Sequence, residues 1–225
     1  MLSYEEQTAY LDSIERVRQS AVKHLDSNPG VAVEFIANLH RAVDHVMQQS
    51  NGTDRQTECR PGCTFCCSVR VEATEPEIFR IAREVKKLPA DRVAAIVERL
   101  QKFAATADGA SRTDCAFLDD HLCSIYEVRP AVCRRAHSLS AESCKRFAPE
   151  IPQSLDMLLR ADALMKGTSA AYREVGLHAA GHELCNAVLL ALTDETAEAR
   201  WHNGESVFPE KATEATIQPP MHTPR

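Results

Sequence analysis

The residues best able to do chemistry in this sequence are its nine cysteines, in a chain of 225 residues. Eight of them lie in two segments, Cys59 to Arg70 and Cys115 to Cys144, and the ninth is Cys185. An odd number of cysteines argues against a disulfide framework, and cytosolic thiols are kept reduced. The two segments therefore indicate metal ligation or thiol chemistry rather than buried apolar thiols. For Cys185, which stands apart, we expect a small buried side chain.

The first segment reads Cys59-Arg-Pro-Gly-Cys63-Thr-Phe-Cys66-Cys67. Its Pro-Gly step permits a tight turn, and the CxxC spacing lets two thiolates converge on one ion with backbone amides pointing at sulfur. The second segment has its cysteines at longer intervals, so a shared site must be closed by tertiary contact. The predicted metal ligands are Cys59, Cys63, Cys66, Cys67, Cys115, Cys123, Cys133 and Cys144.

The vicinal pair Cys66 and Cys67 constrains how these ligands are shared. Successive side chains diverge in helical and in extended backbone, so two adjacent sulfurs reach one tetrahedral ion only through a strained ring. We therefore expect one of the pair to ligate a second centre or to remain a free thiol. The sequence predicts one or two centres, and eight cysteines match two four-thiolate centres.

The cysteine pattern resembles the YkgJ-like cysteine-cluster family over about residues 59–146. The matching stretches are Cys59-x3-Cys63-x2-Cys66-Cys67, Cys115-Ala-Phe-Leu118 and Cys123-Ser-Ile-Tyr126-Glu-Val-Arg129-Pro130-Ala-Val-Cys133-Arg134, with Cys144 a looser match. The family is described as a zinc- or iron-chelating domain and shares its cysteine region with flagellin lysine N-methylase. The resemblance implies metal binding, with a cluster-dependent methyltransferase-like enzyme as an alternative.

The spacing bears on the identity of the metal. Structural zinc sites usually pair two CxxC knuckles, whereas this chain has one, and scattered additional cysteines are common for cubane clusters. The sequence therefore favours an iron–sulfur cluster of the [4Fe–4S] type over zinc. The spacing of Cys59, Cys63 and Cys66 also occurs in radical SAM enzymes, but the alternating strands and helices of their barrel are missing from the sequence pattern.

Several other side chains are candidates for the site. His178, His182 and Cys185 lie at i, i+4 and i+7 of a predicted helix and would share one face, either as further ligands or, as we favour, as a packed stripe. His137 is a candidate extra ligand. A cluster of basic residues forms either a positive collar around the thiolates or an ordinary solvated loop; its members are Arg129, Arg134, Arg135, Lys145 and Arg146.

The elements that must position these residues are predicted to be mainly α-helical, with helical hairpins framing a loop-rich, cysteine-ligated metal centre. Capping boxes at Ser3 and Thr74 and repeating apolar stripes mark the helices. The predicted helices are Ser3 to Asn28, Phe35 to Met47, Thr74 to Leu88, Val93 to Phe103, Leu155 to Met165 and Ala170 to Leu192. We expect one domain over residues 1–202, with the cysteine region at 59–146, and a disordered, proline-containing tail over 203–225.

Composition excludes several classes of function. With 26 basic and 32 acidic residues, the net charge of −6 makes a nucleic-acid partner unexpected. We expect no membrane span and no signal peptide, because long apolar runs are lacking and the first residues include Glu5, Glu6 and Asp12. The prediction is a cytoplasmic metal-binding protein with a redox or regulatory role, without a named protein partner. A zinc-stabilised interaction module is a further alternative. Common nucleotide-binding and hydrolase motifs are missing, so the sequence makes no prediction of enzymatic activity.

Overall fold

The computed structural model describes residues 2–49, 57–60, 62–106 and 112–209. Helix α1 spans Tyr4–Ser27 and begins at the predicted capping box, in which Glu6 N donates to Ser3 Oγ and Ser3 N donates to the Glu6 carboxylate. A short 3-10 helix, Pro29–Val31, leads into α2 at Ala32–Gln49. The break between α1 and α2 falls at the predicted Asn-Pro-Gly step.

Helix α2 carries an apolar stripe into the core and lies beside α7, Leu155–Glu174. Helix α7 also packs along α1, and the two helices approach closely at Gly167. The buried hydroxyl of Tyr172 donates to the carbonyl of Ala32 at 2.6 Å and so ties the end of α7 to the start of α2. These three helices form one side of the molecule.

The other side is built on α3, Glu75–Lys86, and α4, Ala90–Ala104. Helix α3 follows the short strand β1, Glu72–Thr74, and starts at the predicted capping box of Thr74 and Glu77. Both helices pack on α8, Leu184–Thr193. Helices α3 and α4 are therefore held together by a third helix, α8, and α3 also contacts α2.

One predicted helix is wrong. Instead of running continuously from Ala170 to Leu192, the chain ends α7 at Glu174 and turns at Gly176, whose φ is +82°. A positive φ stops helix propagation and is favourable only for glycine. The chain then forms β4, Gly181–Glu183, antiparallel to β1, before α8 begins.

The core is completed by α9, Ala197–His202, whose Trp201 is fully buried against Phe79 and Tyr172. Phe208 is also buried, with its ring 5.5 Å from that of Phe79. Residues 203–209 of the predicted tail thus include a core contact, whereas residues 210–225 lie outside the described residues.

The cysteine segments fold mostly as loops that contain short helices and strands. In chain order these are a 3-10 helix at Phe65–Ser68, β2 at Leu118–Asp119, β3 at Leu122–Cys123, a 3-10 helix at Tyr126–Val128, α5 at Ala131–Arg134 and α6 at Ala141–Lys145. The predicted mainly α fold around a loop-rich cysteine region is confirmed. Among the residues described, none of the helices combines the length and the apolar character needed to cross a bilayer.

Candidate metal centre

The first cysteine segment begins with the predicted tight turn. Cys63 N donates to Arg60 O at 3.0 Å, and Gly62 has a φ of +81°. The chain then enters the 3-10 helix that carries Cys66 and Cys67, closed by Cys67 N donating to Thr64 O at 2.8 Å. Cys66 is exposed, whereas Cys67 is half-buried. The turn and the helix therefore fix four sulfurs within one short stretch.

The second segment places Cys115 and Cys123 with a β-hairpin. Strands β2 and β3 are joined by Asp120 and His121, whose φ values of 46° and 62° are those of a type I′ turn. The backbone N–H of Phe117 lies against the Cys115 sulfur, and that of Ile125 against the Cys123 sulfur. Amides that point at sulfur stabilise thiolates and are typical of metal knuckles.

The thiols of Cys63, Cys66 and Cys144 lie close enough to Cys59 to influence its ionisation. Burial raises the pKa of the Cys59 thiol, and these three neighbouring thiols raise it further. Backbone contacts hold the two segments together here, because Glu58 N donates to Ser138 O at 2.9 Å and Ala141 N donates to the Glu58 carboxylate at 2.6 Å. Cys144, far away in sequence, is thereby placed beside the first segment.

Phe147 adds a second link between the same parts. Its φ of +52° ends α6 in a left-handed turn, a conformation that costs a non-glycine residue strain energy. The ring meets Phe65 edge-on at 6.4 Å, and the Arg112 guanidinium lies 3.6 Å from its centre. Helix α6, with Cys144, is thus packed on the 3-10 helix that carries Cys66.

The remaining thiols form a second neighbourhood around Cys115 and Cys123. Burial raises the pKa of Cys133 to about 12, and the nearby Cys115, Cys123 and Cys66 contribute to the shift. The pKa of Cys67 is raised by its hydrogen bond with Cys66, by burial and by the same two thiols, Cys115 and Cys123. Cys115 N donates to Cys67 O at 2.8 Å, which joins the second segment to the first.

Cys66 belongs to both neighbourhoods. Its charge contributes to the pKa of Cys59 and also to the pKa of Cys123 and Cys133. The hydrogen bond from Cys67 lowers the pKa of Cys66 to about 6, and the Arg129 guanidinium acts in the same direction. One member of the vicinal pair is thus the more readily ionised, and the other is its donor.

The basic residues predicted as a collar have different roles. Arg129 stacks 3.8 Å from the ring centre of Tyr126 and lowers the pKa of Cys66, Cys123 and Cys133. Lys145 and Arg146 are exposed, and Arg146 pairs with Glu142. Among these three, Arg129 is the one that supplies positive charge to the thiols.

Arg134 is buried and does not belong to a solvent-facing collar. It donates to Asp44 Oδ2 at 2.6 Å, to Arg129 O at 2.8 Å and to Glu127 O at 2.5 Å. These bonds tie the loop before Cys133 to α2. Its role is therefore to shape the backbone next to the thiols.

Glu77 holds the helix that carries Cys133. Its buried carboxylate accepts hydrogen bonds from Ala131 N at 2.7 Å, from Thr74 N at 2.9 Å and from His40 Nε2 at 3.1 Å. One side chain thus joins the start of α3, the middle of α2 and the start of α5. The sequence identified Glu77 only as a capping residue, and no sequence signal links it to Cys133.

The histidines predicted as candidate ligands are engaged elsewhere. His137 uses both ring nitrogens, with Arg135 O at 3.0 Å and Ser154 N at 2.9 Å. His178 bonds the carbonyl of Gly204. His182 lies on β4 and bonds Glu75 at 2.9 Å. The shared helical face predicted for His178, His182 and Cys185 is wrong, because the helix ends before all three residues.

Cys185 is buried, as expected, but it is not isolated. Its Sγ lies 4.0 Å from the Cys115 Sγ, and its exposed fraction is 2%. No pattern in the sequence indicates this contact, since 69 residues separate the two cysteines. The ninth cysteine therefore adjoins the second neighbourhood of thiols.

The donor set suits a soft or borderline metal ion. Thiolate sulfur is the preferred ligand of zinc and of iron–sulfur clusters, and backbone amides with one guanidinium offset the negative charge. In the described part of the chain, no three histidine, cysteine or acidic side chains already converge on one point.

Comparison with known families agrees with this chemistry. Residues 58–151 match the family model CxxCxxCC, described as "Putative zinc- or iron-chelating domain". The match agrees with the cysteine-cluster resemblance that the spacing predicted, although the YkgJ name itself is not confirmed. The match indicates zinc or iron chelation as the function of this segment. The comparisons found no match to the chain among curated proteins or solved structures.

Proposed function

We propose that the protein binds two metal centres, each through four cysteines, and that Cys66 and Cys67 serve different centres. The first, called the knuckle centre, comprises Cys59, Cys63, Cys66 and Cys144. The second, called the hairpin centre, comprises Cys67, Cys115, Cys123 and Cys133. All nine cysteines are free thiols in the structure, as ligation requires.

The observation that carries this proposal is the separate attachment of Cys144 and Cys115 to the first segment. Cys144 is held against the first cysteine segment by the hydrogen bonds of Glu58 and by the ring of Phe147, near Cys59 and Cys66. Cys115 reaches it through the carbonyl of Cys67. The second segment therefore touches the first at two places, and each place gathers its own thiols.

The local backbone supports a division between the vicinal cysteines. Cys66 and Cys67 lie in a 3-10 helix, where successive side chains point about 120° apart. The two side chains therefore leave the backbone in different directions, although their thiols are hydrogen-bonded to each other before metal binds. We assign Cys66 to the knuckle centre because Cys67 is the residue whose backbone is bonded to Cys115.

Iron–sulfur clusters are the preferred occupants in this proposal, with zinc as the alternative, because the chain has a single CxxC knuckle and otherwise scattered cysteines. Such centres would supply electron transfer or redox sensing when bound. The protein's own residues supply the thiolates, the amides that stabilise them and the positive charge of Arg129. We place the protein in the cytoplasm, where reducing conditions keep the thiols available.

The test compares Cys66→Ser with Cys67→Ser, using Ser68→Ala in the same 3-10 helix as a control. Each variant is purified anaerobically, and metal per chain and the absorption spectrum are measured. We expect Cys66→Ser to match Cys144→Ser, and Cys67→Ser to match Cys133→Ser, each pair losing a different half of the metal. Sulfur-to-iron charge-transfer bands would identify iron–sulfur clusters. A colourless protein that contains zinc would identify the alternative.

Two results would overturn the proposal. If Cys66→Ser and Cys67→Ser lose the same metal and leave identical spectra, the cysteines share one centre. If the wild-type protein holds no zinc or iron after anaerobic purification and reconstitution, the metal-binding function itself fails. The Ser68→Ala control should keep the full metal content, because the Ser68 hydroxyl donates to the carbonyl of Phe65 in its own turn.

A further inference from the structure

Cys185 occupies a rigid position at the edge of the hairpin centre. It is the second residue of α8, a core helix that packs on both α3 and α4. Glu183 caps the first turn by accepting from Cys185 N at 3.2 Å and Asn186 N at 2.8 Å. Leu184 N donates to Val71 O at 3.0 Å. The sulfur of Cys185 is therefore held by the helical core rather than by the cysteine loops.

The contacts of Cys185 are those of a thiol acting as both acceptor and donor. The backbone N–H of Ala116 points at the Cys185 sulfur, and Cys115 Sγ lies 4.0 Å from it. The N–H of Phe117 points at Cys115 in turn. The N–H groups of two successive residues, Ala116 and Phe117, thus point at the sulfurs of Cys185 and Cys115 and hold them side by side.

Metal binding would fix the direction of the sulfur–sulfur contact. A metal-bound Cys115 is a thiolate without a proton, so it can only accept a hydrogen bond. The S–H of Cys185 is then the donor. Hydrogen bonds to ligand sulfur orient it and tune the metal, and loss of such partners typically weakens metal affinity about 10- to 100-fold.

We propose that Cys185 is a positioning residue of the hairpin centre, whose thiol donates an S–H···S hydrogen bond to Cys115 without binding the metal. This inference rests on the proposed function. It explains the ninth cysteine, which two four-thiolate centres leave over. It also links the hairpin centre to the helical core through a contact that the family match at residues 58–151 does not include.

The experiment uses the full chain, reconstituted anaerobically with Co²⁺ and titrated with Zn²⁺ in competition. Cys185→Ala removes the donor, whereas Cys185→Ser keeps one. The control Val188→Ala shortens a comparably buried side chain of α8 and leaves the thiol of Cys185 in place. Stoichiometry, affinity and the sulfur-to-cobalt charge-transfer band are measured for all variants.

We expect Cys185→Ala to retain two Co²⁺ per chain, to bind one of them about 10- to 100-fold more weakly and to shift its charge-transfer band to lower energy. Cys185→Ser should recover most of the affinity, and Val188→Ala should leave both readouts unchanged. If Cys185→Ala does not fold, Cys185→Val fills the space without a donor and is compared with Cys185→Ser.

Each other outcome has a distinct meaning. Loss of one whole equivalent of Co²⁺ in Cys185→Ala would make Cys185 a ligand and overturn the inference. Affinity and spectrum equal to those of Val188→Ala would also overturn it, while leaving the proposed function intact. Fewer than two centres in the wild-type protein, both with Co²⁺ and after reconstitution with iron and sulfide, would refute the two-centre function, and the inference with it.

Discussion

Arg129 is a single residue whose charge acts on thiols of both proposed centres. Its guanidinium lowers the pKa of Cys66 in the knuckle centre and of Cys123 and Cys133 in the hairpin centre. Burial opposes ionisation at all three sulfurs, so the arginine partly offsets the loss of water. The structure thus separates Arg129 from the neighbouring Arg134, which serves the backbone instead.

We expect Arg129→Gln to weaken zinc binding at pH 7 by about fivefold, corresponding to about 1 kcal/mol for a partly screened charge pair. The physical reason is that the thiols must lose protons to bind, and the positive charge favours their ionised form. The difference in zinc affinity between the variant and the wild type should narrow as pH rises, because the thiols then ionise without the positive charge of Arg129. Competition titrations over a pH series measure it.

Arg146→Gln is the matched control for the Arg129 experiment. Arg146 is exposed and pairs with Glu142 at 3.3 Å, a contact that should contribute little. Its variant should bind zinc as the wild type does. A loss of affinity in Arg129→Gln that is the same at every pH would contradict the electrostatic role and point to the stacking on Tyr126.

At the scale of elements, the buried network around His40 joins α2, α3 and α5. Arg80 donates to His40 Nδ1 at 2.9 Å, so the neutral ring carries its proton on Nε2 and donates it to Glu77. Burial lowers the pKa of His40. Burial opposes ionisation of Glu77, but its hydrogen bonds outweigh this effect and lower the Glu77 pKa.

This network predicts a loss of stability in mild acid. The unfolded chain takes up a proton on His40 below about pH 6.5, whereas the folded protein resists it, so the free energy of unfolding falls as pH drops. The lowered pKa of Glu77 acts in the same direction at more acidic pH. Thermal melts from pH 7 to pH 5 should show a steady decline in Tm.

His40→Gln should flatten that decline, since glutamine can accept from Arg80 and donate to Glu77 but does not titrate. His24→Gln, at an exposed position on α1, is the control and should keep the wild-type slope. An unchanged slope in His40→Gln would show that other groups cause the acid sensitivity.

The close contact between α1 and α7 depends on Gly167. A Cβ at this position would lie 2.6 Å from the backbone oxygen of Ile14 and from Cβ of Val17. Alanine is the better helix former by about 1 kcal/mol, but here the clash with backbone must push the two helices apart. We expect Gly167→Ala to lower the free energy of unfolding by about 2 kcal/mol, measured by urea denaturation.

Gly30→Ala provides the comparison, because nothing lies within 4 Å of a Cβ added there. That substitution should be neutral or stabilising by up to about 1 kcal/mol, through a less flexible unfolded chain. Equal effects of the two substitutions would mean that α1 and α7 can separate at little cost.

At the scale of the whole molecule, a metal site shared by the two cysteine segments would help to hold the fold together. In the structure the helices bury an extensive core of their own, to which the two cysteine segments contribute a minority; their core residues are Ala116, Phe117, Ile125, Val128 and Ala131. Loss of metal should therefore loosen the cysteine region first, while α1, α2 and α7 stay packed.

Hydrogen exchange before and after chelation tests this expectation. Amides at 112–147 should lose protection, those of α1 and α7 should keep it, and added zinc or iron should restore the original pattern. Equal loss of protection throughout would show that the fold as a whole depends on metal. No change at 112–147 after verified metal removal would exclude a structural role.

The sequence alone determined the features that are local in the chain. The capping boxes at Ser3 and Thr74, the turn at Gly62 and the cysteine spacing were all recognised, and the structure or the family match agrees with each. These signals are readable because the residues that make each contact are within a few positions of one another. The break at Gly176 was missed because a glycine within an apolar pattern is compatible with a helix.

Only the tertiary structure decided which distant residues meet. The contact of Cys185 with Cys115, the burial of Arg134 against Asp44 and the bonds of Glu77 to Ala131 join elements far apart in sequence. Such contacts follow from how α2, α3 and α8 pack, and packing is set by the summed shape of many side chains. The sequence therefore does not show whether a charged side chain or a thiol faces solvent, a helix or another sulfur.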